Sequence, residues 1–302
     1  MKKVKITMPS SLISKKEPIS NKNSILEELI DTFINILKQK EHEENLQNLY
    51  RNITTLKIDN KRILSERKIN PFQDNVVTGQ YYLEENLISV LPLQQKEKSR
   101  SSKKLNIREY IINLYHELLH MASTIMDKEN NIAYSGFAVV TKNNSIGLAI
   151  DDAYTEILLK RYFDSKNIDD TYDYEIIITL LIEDLVGSEK MTNLYFNANL
   201  SALVKMLENY NTKENIYKFL DDFDSIYALR DYSRRYKRDI IYYHNEIQDF
   251  IINTYMNKLK IDLNNNIINK EEYEFKLNKC TETLHTAFVK LNLNNKNKTL
   301  KK

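Results

Sequence analysis

The chain has 302 residues, 42% hydrophobic and 28% charged, with 44 Lys and Arg against 42 Asp and Glu and a net charge of +2. That length holds one large domain or two modest ones, and the near balance of charge argues against a dedicated nucleic-acid binder, which carries a basic excess. The single cysteine, Cys280, excludes an intrachain disulfide framework and any cysteine-based metal site.

Residues 1–22 read as a polar arm. MKKVK opens it, but ITMPSSLIS is not a sustained apolar stretch, so no secretory signal is expected. The longest apolar run, Ile176–Ile182, ends at Glu183 and Asp184, too short to span a membrane. A cytoplasmic protein with no membrane contact is the expectation. Residues 23–72 read as a helical N-terminal segment. Ile25, Leu26, Leu29, Ile30, Phe33, Ile34 and Leu37 fall at helical spacing, and a second helical set runs from Leu46 to Leu56.

From residue 73 the pattern changes. NVVTGQYYLEENLISVL, residues 75–91, reads as a β-hairpin turning at Glu84-Glu85-Asn86. A basic loop, Lys96–Lys104, follows. A helix begins at Asn106, an N-cap residue with Glu109 three positions on, as in a capping box. A second β segment, FAVVTKNNSIGLAI at 137–150, turns at Asn143-Asn144, and the chain is helical from Asp151 onward. All four prolines and all four glycines lie at or before Gly187, so the last 115 residues contain neither, which reads as a long helical part. Asn-rich breaks at 209–215 and 264–269 divide it. Arg230, Arg234 and Arg238 share one helical face, read as a solvated face because aspartates surround it. Residues 291–302 read as a disordered tail.

The helix from Asn106 carries YHELLHMAS, with two of the chain's five histidines. Ile107, Ile111, Leu114, Leu118, Met121 and Ile125 form an apolar stripe. The opposite side carries Asn113, His116, Glu117, His120, Ser123 and Thr124, and no Lys or Arg stands between Arg108 and Lys128. This helix is therefore expected to be covered on both sides, and a covered glutamate needs a partner or a job. Histidines at i and i+4 lie one turn apart on one face and converge on a tetrahedral Zn²⁺. The glutamate between them can act as general base toward a metal-activated water. The bland alternative is a pair of core histidines bonded to backbone or tyrosine, with Glu117 in an ion pair.

A catalytic zinc site takes three protein ligands. Asp152 and Glu156, in GLAIDDAYTEILLKRYF, lie at i and i+4 on a later helix. One of them can ligate and the other can accept a ligand histidine's free N–H. Asp151 or Asp152 can also serve simply as a helix cap.

HELLH at 116–120, a β segment, and IDDAYTE at 150–156 together resemble the gluzincin type of zinc metallopeptidase. The resemblance covers about residues 75–165. It implies a zincin-like domain over 73–210 with a small antiparallel or mixed sheet and an active-site helix; with the helical C-terminal subdomain over 211–290, read from the residues and outside the resemblance, the fold expected is α+β, predominantly helical. It implies one Zn²⁺ per chain held by His116, His120 and Asp152, Glu117 as catalytic general base, and Glu156 as supporting acid or alternative ligand. It further implies an edge strand, here GQYYLEENLISV, that positions a peptide or protein substrate. Asp152 stands where the family pattern has glutamate, one methylene longer. The transition-state stabiliser such an enzyme needs is not legible among 20 tyrosines; Tyr154, Tyr81 and Tyr82 lie on the right elements. The function implied is peptide-bond hydrolysis. The alternative is a catalytically impaired scaffold of the same fold, kept as a binding protein. His42, His244, His285 and Cys280 read as structural or surface residues.

Overall fold

The computed structural model describes residues 22–69, 78–92, 106–163, 173–229 and 235–291. The polar arm, the basic loop Lys96–Lys104, Arg230, Arg234 and the tail after residue 291 lie outside them. The fold is mostly helical with two small sheets, as expected from the sequence. Packing divides the chain into two units that interleave: Met1–Met126 with Thr155–Asp169, and Asp127–Tyr154 with Asp170–Lys302.

The first unit begins with α1 (Lys22–Lys40), a 3₁₀ turn (Glu43–Leu46) and α2 (Gln47–Ile53). Strand β1 (Lys57–Asp59) and helix α3 (Lys61–Ile69) follow, then the hairpin β2 (Gly79–Tyr82) and β3 (Leu87–Val90), and helix α4 (Ile107–Ala122). Gly79 pairs with Val90 and Tyr81 with Ile88 in antiparallel register. Strand β1 lies inside the segment read as helical. It joins β3 in parallel, Ile58 opposite Ile88, and the sheet order is β1-β3-β2. Three residues, KID, carry no periodicity of their own, and pairing with β3 makes them a strand.

Helix α4 stops at Ala122, so Ile125 does not extend its stripe but sits on strand β4 (Thr124–Asp127). The Ser123 and Thr124 hydroxyls both donate to the His120 carbonyl, at 3.1 and 2.7 Å. These side chains satisfy a carbonyl that another helical turn would have used.

Strands β4, β5 (Ile132–Ser135), β6 (Ala138–Val140) and β7 (Ser145–Ile146) form the second sheet in that order. The β5–β6 and β6–β7 pairs are antiparallel. The turn at Asn143-Asn144 is present, but Leu148–Ile150 are helical rather than extended. They open α5 (Leu148–Phe163), whose first half belongs to the second unit and whose second half belongs to the first.

Asp151 does not cap α5, as had been expected. Its carboxylate accepts the Phe137 N–H at 3.0 Å, across the turn at Gly136. The cap comes from far along the chain, where the Asp224 carboxylate accepts the N–H groups of Gly147 at 2.7 Å and Ala149 at 2.8 Å. An anion at a helix N-terminus is favoured by the orphan N–H groups and the helix dipole.

The second unit continues with α6 (Asp173–Val186), α7 (Ser188–Phe196), α8 (Leu200–Leu207), α9 (Lys213–Leu229), α10 (Lys237–Asn264) and α11 (Lys270–Lys290). Its core includes Phe219 stacked on Phe250 at 4.5 Å, and Cys280 is buried in it. Among the described residues, no helix is long and apolar enough to cross a membrane.

His244 is buried in this unit, with Nδ1 3.1 Å from the Tyr174 hydroxyl and its ring stacked on Phe288. Burial pushes its pKa down to about 4. The unfolded chain takes up this proton near the ordinary value of about 6.5, so it binds more protons than the folded state between the two values. His244 therefore contributes stability above pH 6.5 that is lost as the pH falls toward 4. Burial raises Asp224 to about 6, and its contribution runs the other way over the overlapping range. The two separate by difference: wild type minus His244→Phe is expected to lose up to about 3 kcal/mol of unfolding free energy between pH 6.5 and 4 in urea titrations. A pH-independent difference would contradict this.

Candidate metal centre

Helix α4 is held in place at both ends and along one side. At its start, Glu109 N–H donates to the Asn106 side chain, and Asn106 N–H donates to the Glu109 carboxylate, both at 2.9 Å. This is the capping box expected from the sequence. At its end, the Asn52 side-chain amide of α2 donates to the carbonyls of Met121 and Thr124, both at 2.8 Å. Along its side, Tyr115 packs between Phe33 of α1 and Phe163 of α5, with ring centroids 5.5 and 4.7 Å away. The Tyr115 hydroxyl donates to the Leu29 carbonyl at 3.1 Å. Aromatic contacts of this kind contribute about 0.5–1.5 kcal/mol each beyond area burial.

Both sides of α4 are covered, as anticipated from its lack of Lys and Arg beyond Arg108. Leu114, Leu118 and Met121 are fully buried, and Glu117, away from that stripe, is only 7% exposed. Nε2 of His116 lies 3.0 Å from Nε2 of His120. On its other side, Nδ1 of His116 lies 2.8 Å from Oε1 of Glu156, on α5. A carboxylate accepts only, so this contact keeps a proton on Nδ1 and leaves the neutral ring's lone pair on Nε2, the tautomer a metal needs. Burial works against charge on the His116 ring, but hydrogen bonding and attraction from Glu156 outweigh it and move its pKa upward.

Asp152 and Glu156 lie one turn apart on α5, which runs unbroken through both residues. The helix that brings Glu156 to His116 therefore carries Asp152 along the same face. Ligand atoms of His116, His120 and Asp152 lie within 4.8 Å of one another. The two acids, interchangeable by spacing, thus take different positions. Glu156 holds the outer nitrogen of a histidine, while Asp152 joins the convergent group.

The donor set suits zinc: two imidazole nitrogens and one carboxylate oxygen. Tetrahedral bonds of about 2.0–2.1 Å separate two ligand nitrogens by roughly 3.3 Å, close to the 3.0 Å between the histidine rings.

Glu117 projects toward the start of β2. A Cβ on Gly79 would meet Glu117 Oε1 at 3.1 Å and Cγ at 3.2 Å. Thr78, just before this strand, donates to the Asn113 side chain, one turn before Glu117. Strand β2 is an edge of its sheet.

Tyr154 lies elsewhere. Its fully buried hydroxyl engages Glu183 at 3.0 Å and Thr192 at 2.9 Å, and its ring packs on Phe137 and Tyr195. That places it in the core of the second unit. Tyr81 donates to the Asn86 side chain at 2.9 Å, and Tyr82 stacks under Arg62. A tyrosine the sequence did not single out, Tyr227 of α9, donates its hydroxyl to Asp152 Oδ2. No local signal in the sequence distinguishes it from the other tyrosines.

No family model, curated protein or solved structure matches the chain.

Chelator-stripped protein offered zinc is expected to retain about one ion per chain by elemental analysis, and His116→Ala/His120→Ala to retain none. Equal zinc in the two proteins would place the metal elsewhere. None in either would leave α4 an ordinary covered helix.

Proposed function

We propose that the chain is a zinc-dependent metallopeptidase of the gluzincin type, hydrolysing peptide bonds in a peptide or protein substrate. One observation carries this reading: the histidine Nε2 atoms meet with the Asp152 carboxylate, while Glu156 holds the other nitrogen of His116. A core histidine pair needs no such convergence with a carboxylate. His116, His120 and Asp152 would hold the ion. When bound, Zn²⁺ supplies Lewis acidity that polarises a carbonyl and makes water more acidic.

The chain's own part in the reaction falls to Glu117 and β2. Glu117 neighbours His116 on α4, and its burial keeps its carboxylate from dilution by bulk solvent. In this reading it takes a proton from the attacking water and gives it to the departing amine. Strand β2 presents a sheet edge, which pairs with an extended peptide through backbone hydrogen bonds, and Gly79 sets that edge directly against Glu117. Chemistry and backbone recognition are thereby adjacent.

Glu117→Gln preserves shape and removes the base. It is expected to bind zinc as wild type does and to lose about 10²–10⁴-fold in hydrolysis of a peptide library followed by mass spectrometry. Equal cleavage by wild type and variant, or none by zinc-loaded wild type across broad libraries, would overturn the peptidase reading. In the second case the domain would be a metal-holding binding scaffold.

A further inference from the structure

We propose that helix α9 is the positioning device for the metal-site carboxylate, with Tyr227 holding Asp152 and Asp224 holding the turn from which Asp152 projects. The inference rests on the zinc-site reading above and assigns a role to residues that reading does not use.

Three contacts converge on the first turns of α5 from one helix. The Asp224 carboxylate accepts from Gly147 N–H and Ala149 N–H. Tyr227, three residues later and therefore on the same face of α9, donates to Asp152 Oδ2. The first pair fixes where α5 begins, and hence the direction in which residue 152 leaves the helix. The second contact fixes the carboxylate itself.

An aspartate can rotate about both side-chain bonds and present either oxygen. With one oxygen accepting from a phenol, the carboxylate's rotation is restrained, and the donor is a neutral group. Hydrogen bonds from outside the ligand set typically account for about 10–100-fold in metal affinity. Tyr227 is half-buried and absent from the core of the unit, and the Phe variant keeps its ring.

The test is zinc affinity by competition with a chromophoric chelator, with the visible spectrum of the Co²⁺-loaded protein as a second readout. Wild type, Tyr227→Phe and the control Tyr217→Phe, an exposed tyrosine on the same helix, are compared. Tyr227→Phe is expected to melt, metal-free, within a few degrees of wild type, to bind zinc about 10–100-fold more weakly, and to show an altered Co²⁺ spectrum. The control is expected to match wild type in all three. One zinc bound by wild type with unchanged affinity and spectrum in Tyr227→Phe would overturn the positioning role and leave the zinc site standing. Absence of zinc binding by wild type would overturn the site itself, and the role of Tyr227 with it.

Discussion

The bond between His116 Nδ1 and Glu156 is the contact on which the rest of the site depends. It carries chemical information as well as position. A histidine ring offers either nitrogen to a metal, and the partner of one nitrogen decides the state of the other. With Glu156 at 2.8 Å on Nδ1, Nε2 of His116 faces Nε2 of His120. The same contact fixes the face of α5 that lies beside α4, and that face also carries Asp152. One hydrogen bond between two helices therefore settles both the tautomer and the neighbour.

Such a contact needs rigid carriers, and the N-terminal segment supplies one of them. Residues 22–59 carry none of the candidate ligands, yet α1 and α2 set the position of α4. Phe33 and Phe163 stack at 5.5 Å with Tyr115 against both, so a single aromatic cluster ties α1, α4 and the second half of α5 together. Asn52 takes two carbonyls at the C-terminal end of α4. Its own carbonyl accepts from Asn86, in the β2–β3 turn, at 2.7 Å. The hairpin beside Glu117 and the helix that carries Glu117 are thus anchored to the same residue. The HELLH segment spans little more than one turn, but the contacts that orient its helix come from Leu29 to Phe163.

This division explains what could be read in advance. Asn106 and Glu109, the HELLH spacing and the Asp152–Glu156 spacing are local patterns of a 3.6-residue period, and all appear where that period puts them. The hairpin is local too. Strand β1, by contrast, exists because β3 is beside it. The end of α4 depends on Asn52, 69 residues away from Met121. The start of α5 depends on Asp224, 77 residues from Gly147. Asp151 looked like a cap because aspartates usually are, but the N–H it serves belongs to Phe137. Tyr227 could not be selected because its only distinction is where α9 places it. Spacing revealed which chemistry was available, and the packing of the helices gave Glu156 the contact with His116 Nδ1.

The buried carboxylates show the same distinction from another side. Burying a carboxylate costs several kcal/mol unless hydrogen bonds or charge offset it. Asp151 is buried and holds a turn. Glu183 is buried and accepts the Tyr154 hydroxyl. Glu117 is buried beside a glycine, and that glycine is informative. Gly136, Gly147 and Gly187 have positive φ angles, whereas Gly79 does not. The backbone at 79 therefore places no demand for glycine. The neighbour that matters is Glu117: a Cβ there would meet its Oε1 at 3.1 Å, so that side chain would have to give by a few tenths of an ångström. Gly79 opens strand β2 and leaves that space to Glu117. Gly79 and Glu117 are therefore coupled positions: a side chain at 79 is accommodated only if the Glu117 side chain moves.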